Sequence, residues 1–334
     1  MSEKLASPSP PKSRSSLQLM LVASRALSAS RPALISLLIA GGAELGGVAH
    51  PISFCNVLFI GNFCAALVVG FWFGFGSIVE DLKRTETKVI VGLLINGCLA
   101  TLLSALIFLG LRETSVTNAV LLGRLGPVLF ALAGAIALGK SIQRLEWLGF
   151  SLIAGGVVAI ILATNGFDLN RGDALILLST IVFAVSALIN HVMIARAASL
   201  RLVVFSRNFI SSIIFFFIAM KLFGPMHFAD AFSGSLWVLM AVYALVVIVC
   251  AQFLWYASTN NLDSRTIGRL TVLSPVFGVT YAFLLNGERP STIQTITLVV
   301  VIIGVMVASF GNKRDTTSKL EMRSQASEDV ASAP

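Results

Sequence analysis

The sequence predicts an all-α polytopic membrane protein with ten transmembrane helices in two inverted five-helix repeats. Three observations carry this. The 334 residues are 56% hydrophobic and only 12% charged, whereas a soluble chain carries roughly a quarter charged residues. The charges cluster and leave apolar runs of about 20 residues, each long enough to cross a hydrocarbon core of ~30 Å as a helix. The third observation is a pattern that recurs at an offset of 148, the difference between positions 122 and 270. Leu122 to Lys140 reads LGRLGPVLFALAGAIALGK and Leu270 to Glu288 reads LTVLSPVFGVTYAFLLNGE. In that frame Pro127 falls on Pro275, Val128 on Val276, Gly139 on Gly287, and Gly156-Val157 on Gly304-Val305.

Residues 1–31 read as a cytoplasmic tail that is part disordered and part amphipathic. Its opening SEKLASPSPPKSRSS has too little apolar surface to fold, while Leu17 to Leu27 fits a short helix on the bilayer surface. The same stretch is rich in Arg and Ser, so an organellar targeting segment stays open. Ten spans follow at 33–49, 53–76, 89–111, 115–138, 145–163, 173–195, 202–224, 236–258, 265–286 and 291–311. The first repeat is residues 32–164 and the second 165–311. Residues 312–334 form a polar, disordered cytoplasmic tail.

Charge sets the orientation. With the N-terminus inside, the outer loops hold only Arg112, Arg171, Lys221 and Arg289, and the spans hold Arg124 and Arg207. The other 18 of the 24 lysines and arginines fall on the inner side, which predicts both termini in the cytoplasm. The net charge of +8 lies in the tails and alternate loops, as a bilayer requires, so nucleic acid is not expected. Five spans per repeat is odd, so the second repeat is upside down relative to the first. Secondary transporters expose one midplane site alternately to either face by this architecture.

Several side chains are candidates for chemistry. Glu44, in GGAELGG, lies about 16 Å into the first span, and Arg124 about 14 Å from the outer end of the fourth. A charge at that depth costs about 3 kcal/mol, so it faces a cavity or a partner. The pair either receives a solute, with Glu44 also able to take a proton, or binds only itself and locks helices. Gly42 and Gly46 beside Glu44 permit bending, or simply close packing. Pro127 and Pro275 each remove a backbone donor and kink their helices, as a hinge or as a fixed packing feature. Gln252, Trp255 and Tyr256 share a face of the eighth span, suited to an amphipathic solute or, for the aromatics, to the membrane interface. Asn96 and Tyr281 are further cavity candidates. His191, beside Asn190, is a candidate proton relay or a hydrogen-bond partner for a neighbouring helix. Arg207 reads as a cation snorkelling to headgroups.

Cys55, Cys64, Cys98 and Cys250 lie in apolar runs without CxxC or His clusters, so neither disulfide nor metal is expected. No cofactor is implied. The sequence has no HExxH, GxSxG or GxxxxGK[ST], and an enzyme is not expected.

The segments LGPVLFALAGAIALGK and LSPVFGVTYAFLLNGE, set in ten spans, resemble those of the drug/metabolite transporter superfamily, and within it the EamA-type branch. The resemblance covers residues 33–311. It implies a secondary transporter of the cytoplasmic membrane, commonly an exporter of amino acids or other small metabolites, with the solute held between the repeats. The family often ends this motif with Gly-Glu in both halves, whereas this chain has Gly139-Lys140 in the first. The expected partners are a small-molecule solute and the lipid bilayer, with a homodimer left open. Amino acids are the first substrate expectation and anionic metabolites such as nucleotide sugars the rival. A channel or a non-transporting scaffold are the other classes, though the short outer loops leave a scaffold no module to signal through.

Overall fold

The computed structural model of the chain describes residues 13–46, 54–139, 141–165, 170–194, 197–224, 234–259, 262 and 264–311. The side chains of Glu44 and Tyr256 lie outside what is described. The described residues form fifteen α-helices, thirteen of which, alone or joined end to end, make nine single spans. One sharply bent pair brings the count of candidate spans to ten.

The first span is built differently from the sequence expectation. Helix α1 (Arg14–Ala29) runs into α2 (Arg31–Gly46) with a single-residue break at Ser30. Leu17, Leu21 and Ser24 fall at i, i+4 and i+7, one face of a helix, and all three are buried. That face packs on helices nearer the C-terminus, and the Ser24 hydroxyl donates to the Ala251 carbonyl at 2.7 Å. Residues from Arg14 onward therefore belong to the bundle, and the tail is shorter than the sequence predicts. The amphipathic stripe that suggested a bilayer surface covers protein instead. Gly42 and Gly46 are helical and α2 is unbroken around them.

Helix α3 (Phe54–Phe73) stops short of the predicted end at residue 76. Gly74 takes φ +79° and turns the chain by 92° into α4 (Phe75–Arg84). A left-handed φ is costly for any residue with a Cβ, which is why the elbow falls on glycine. Helix α4 is amphipathic: Ile78 is buried while Phe75, Val79 and Leu82 are exposed. Asp81 ties it to the bundle through Arg201 at 2.6 and 2.8 Å and through the Ser199 hydroxyl. Hydrogen bonds from Arg201 and then Ser199 pull the Asp81 carboxyl down to a pKa of about 2, so the tie keeps its charge at physiological pH.

Helix α5 (Thr87–Leu111) is the third span, and α6 (Val116–Leu122) with α7 (Leu125–Leu138) the fourth. Helix α8 (Arg144–Asn165) is the fifth. The sixth is α9 (Arg171–Ile189), continued by a π-helical turn at Asn190–Ile194, and the seventh is α10 (Leu200–Phe223). The eighth comprises α11 (Gly234–Tyr243), a π segment at Ala244–Cys250, and α12 (Ala251–Thr259). The ninth is α13 (Ser264–Thr271) with α14 (Leu273–Asn286), and the tenth α15 (Thr292–Gly311).

The internal duplication is visible residue by residue. Adding 148 to the bounds of α7, 125 and 138, gives 273 and 286, the bounds of α14. Each break falls one turn before a proline, where Pro127 and Pro275 leave the carbonyls of residues 123 and 271 without their helical donor. Gly139 and Gly287 end the two helices with φ +63° and +67°, the left-handed cap that glycine supplies without strain. Packing obeys the same exchange: α1 packs on α12 and α14, while α9 packs on α5 and α7. First–eighth thus maps to sixth–third, and first–ninth to sixth–fourth.

The fifth and tenth spans meet along a close seam. A Cβ on Gly149 would lie 2.5 Å from the Ala308 nitrogen and from the Gly304 oxygen, and one on Gly156 would lie 3.2 Å from Thr297. Adding 148 to 149 and 156 gives 297 and 304, so the two contacts exchange under the repeat. Gly149→Ala forces a methyl into backbone that has no rotamer to yield and is expected to cost about 1–3 kcal/mol. Gly155, one position from the seam residue, has nothing within 4 Å of its Cβ position, and Gly155→Ala is expected to be neutral or slightly stabilising. Melting curves of the two variants in detergent check the contrast.

Candidate functional site

The ends of the bundle are named here by the sides that the charge count predicts. Toward the outer end the two repeats pack on each other. Ala33, Leu38, Val120, Val279, Leu236 and Met240 are buried in one apolar cluster drawn from both repeats. A Cβ on Gly278 would meet Val120 at 2.8 Å, so α14 and α6 touch almost backbone to side chain. Above this core, the N-terminus of α6 is capped from the other repeat. The Glu288 carboxylate accepts from the Val116 N–H (2.6 Å), the Thr117 N–H (2.9 Å) and the Thr117 hydroxyl (2.8 Å). The Ser115 hydroxyl takes the Asn118 N–H at 3.1 Å, and Gln294 donates to the Asn118 side chain at 2.7 Å. The first three backbone donors that a helix leaves unpaired are all satisfied.

The inner half differs. A cavity of about 160 Å³ lies between α5, α9, α10 and α12, lined by Asn96, Ser186, Asn190, Arg207, Gln252 and Phe183 among others. The Ser186 hydroxyl donates to Asn96 Oδ1 at 2.6 Å. Asn190 Oδ1 and Gln252 Oε1 are buried with no hydrogen-bond partner, which is costly unless something visits them. Both sit beside π segments: Asn190 opens one and Gln252 follows the other by two residues. A π turn shifts the side chains after it out of the 3.6-residue register, and such turns recur at functional sites. Phe183 joins the cavity to the helix break of the fourth span, since a Cβ on Gly126 would meet its ring at 2.9 Å.

The sequence-predicted residues divide. Asn96 and Gln252 line the cavity. Trp255, one turn from Gln252, lies under the Arg25 guanidinium, whose carbon is 3.8 Å from the ring centroid. A cation over an indole face is stabilised by the ring quadrupole, and Arg25 Nε is buried with no hydrogen-bond partner. Arg124 is half-buried at the junction of α6 and α7, its Nε donating to the Val120 carbonyl at 3.3 Å, and its charge repels that of Arg25. Tyr281 is half-buried against the outer core. His191 is exposed with its ring edge-on to Phe130 at 6.3 Å, so it lies beside the cavity residue Asn190 and on another face. Pro127 is exposed and Pro275 buried.

Arg207 was read from sequence as reaching for headgroups, and it instead lines the cavity. The signal was present in the polar triplet Ser206-Arg207-Asn208 inside an apolar span. Arg25 was assigned to a tail and is an interior cation. The described carboxylates (Glu80, Asp81, Glu86, Glu113, Glu146, Asp173 and Glu288) lie near the helix ends or in the connections between helices. Arg25, Arg124 and Arg207 lie within the described spans.

The EamA-like transporter family matches residues 47–162 and 170–310. The chain belongs to this family. The two matched stretches are the two repeats, and this EamA-type protein is a multi-pass membrane transporter. It is 26% identical to an uncharacterized transporter of Synechocystis sp. over 281 residues, covering 81% of this chain and 80% of the relative. An uncharacterized transporter of Methanothermobacter thermautotrophicus is 24% identical, covering 71% of this chain and 69% of the relative. A riboflavin transporter of Fusobacterium nucleatum is 25% identical, covering 76% of this chain and 87% of the relative. One crystal structure superposes with a TM-score of 0.56 at 20% identity, over 90% of this chain and 98% of the other, and has the same fold.

The hydrogen bonding separates structural from available polar groups. Asn96→Leu leaves the buried Ser186 hydroxyl without its acceptor and is expected to cost about 1–3 kcal/mol. Gln252→Leu removes an amide whose oxygen has no partner and is expected to leave the melting temperature unchanged or raise it. Thermal unfolding of the two purified variants distinguishes them.

Proposed function

We propose that the protein is an alternating-access secondary transporter that exports a small polar metabolite carrying a carboxylate, an amino acid in the first instance. The observation that supports this is the cavity, where Arg207 lies with two unpartnered amide oxygens, those of Asn190 and Gln252. A guanidinium complements a carboxylate, and two amide oxygens complement an ammonium group. Size points the same way. At ~15 Å³ of probe-occupied volume per water, a cavity of 160 Å³ holds on the order of ten waters. A single amino acid fits that space; a flavin, the solute named for one relative, is too large for it in this conformation.

The transporter sits in the cytoplasmic membrane with both termini inside, and two inverted repeats exchange roles about the site. Proton coupling through Glu44 completes the sequence-based scheme. The second reading, a carrier of anionic metabolites, is favoured by the cations Arg25, Arg124 and Arg207 in the spans. It differs in one respect: Glu44→Gln is tolerated while loss of Arg124 is not.

Counterflow in proteoliposomes tests the proposal. Labelled amino acids are expected to enter saturably and faster against internal unlabelled solute, which a channel does not do. Arg207→Gln and Gln252→Leu are expected to lower that flux by about tenfold or more, the loss of one charge-assisted contact, in protein that still folds. Full flux in both variants removes the cavity from the pathway.

A further inference from the structure

We propose that Glu288 is the outer gate latch of this transporter, and that its lack of a counterpart at the inner end biases the carrier toward the inward-open state. The inference rests on the alternating-access reading above. It starts from an observed contact. Glu288 belongs to the second repeat, yet its carboxylate holds the N-terminus of α6 in the first through three hydrogen bonds of 2.6–2.9 Å.

The position of Glu288 is set by the glycine before it. Gly287 adopts φ +67°, and the Glu288 amide donates back to the Ala282 carbonyl at 3.1 Å. This turn ends α14 and projects the next side chain across the repeat boundary. There a carboxylate meets paired backbone N–H groups and the positive end of a helix, both favourable to negative charge. Below the contact, α6 and α14 close on each other at Gly278 and Val120. Opening the outer end by parting the repeats would separate α14 from α6, and Glu288 would have to leave its three donors.

The repeat supplies an internal control. Subtracting 148 from 288 gives 140, and residue 140 is lysine. The helix equivalent to α6 is α13, whose start at Ser264 is 148 positions after Val116. When the repeats exchange roles to close the inner end, residue 140 takes the part that Glu288 plays outside. A lysine cannot accept from helix N–H groups, so it cannot reproduce the contact that Glu288 makes. The carboxylate of the outer contact thus has no carboxylate at the equivalent inner position, and the described state, with α6 and α14 closed on each other and the cavity in the inner half, is the one this asymmetry favours.

The test is the side from which the cavity can be labelled. Ala187, which lines the cavity, is replaced by cysteine in a chain whose four native cysteines are alanine. A membrane-impermeant maleimide is then applied to right-side-out and to inverted vesicles. The parent is expected to react much faster from the cytoplasmic face. Glu288→Gln is expected to raise the outside-to-inside rate ratio about tenfold, as loss of one charge-assisted bond allows. Thr117→Val, which removes one of the three bonds, shifts the ratio less in the same direction and serves should Glu288→Gln fold poorly. Lys140→Glu, by supplying the missing carboxylate, also raises the ratio. A ratio unchanged in all three variants while Ala187→Cys reacts from inside overturns the latch and leaves the carrier standing. No reaction from either face in any background overturns both.

Discussion

A proline inside a membrane helix leaves one carbonyl without its donor at a depth where no water is at hand to replace it. Lipid tolerates such a break only where protein covers it or where it lines a cavity. This chain carries the break twice, at equivalent positions of two repeats, between α6 and α7 and between α13 and α14. At the first break the Gly126 N–H takes up the Gly123 carbonyl at 3.2 Å, and the fourth and ninth spans face inward through α6, which is buried throughout, and through one side of α14. They pack on each other, α6 against α14, and this contact forms the centre about which the remaining helices pair. The close seam of α8 and α15 and the exchange of α1–α12 for α9–α5 follow from the same two-fold relation.

The parts of this arrangement that were legible in the sequence are those where one residue type has one physical use. Pro127 and Pro275 announce the breaks, while Gly139 with Gly287 and Gly156 with Gly304 mark the repeat frame in which the left-handed caps and the fifth–tenth seam are found. The apolar runs marked the spans because a bilayer imposes a length. What escaped has physical reasons too. Helix α1 was placed on the bilayer because an amphipathic stripe does not reveal what covers it, and Leu17, Leu21 and Ser24 are covered by protein. The elbow at Gly74 was hidden by aromatic residues that suit a span and an interface equally well. The π turns at Asn190 and Ala244 have no periodicity of their own, so the side chains they re-aim were not gathered into one site. Asn96 and Gln252 were singled out and line the cavity, whereas Arg207, which also lines it, was read as snorkelling because a long cation one or two turns from a helix end reads so until a cavity is seen.

Electrostatics connect the fold to transport. The described acids stand near the helix ends or in the connections, where they cap helices or pair: Glu288 with α6, Asp81 with Arg201, and Glu113 with Arg171 at 3.6 Å. The interior keeps Arg25, Arg124 and Arg207, which share space with amides and an indole. A charge held within the bilayer is costly, and under the proposed function an anionic or zwitterionic solute offsets part of that cost while it is bound. Affinity and turnover are thereby linked, since the solute that stabilises the closed cavity must still leave it. The unpartnered oxygens of Asn190 and Gln252 fit such a transient partner better than a permanent one.

The central claim is that the two ends of the bundle open in opposition. Spin labels at Arg112 and Arg289 report the outer end, and labels at Ser141 and Leu262 the inner end, of the same detergent-solubilised protein. The account predicts a short outer and a long inner distance without solute. A saturating mixture of amino acids should lengthen the outer distance as it shortens the inner one. Two distances that stay fixed, or that lengthen together, would contradict alternation between the repeats.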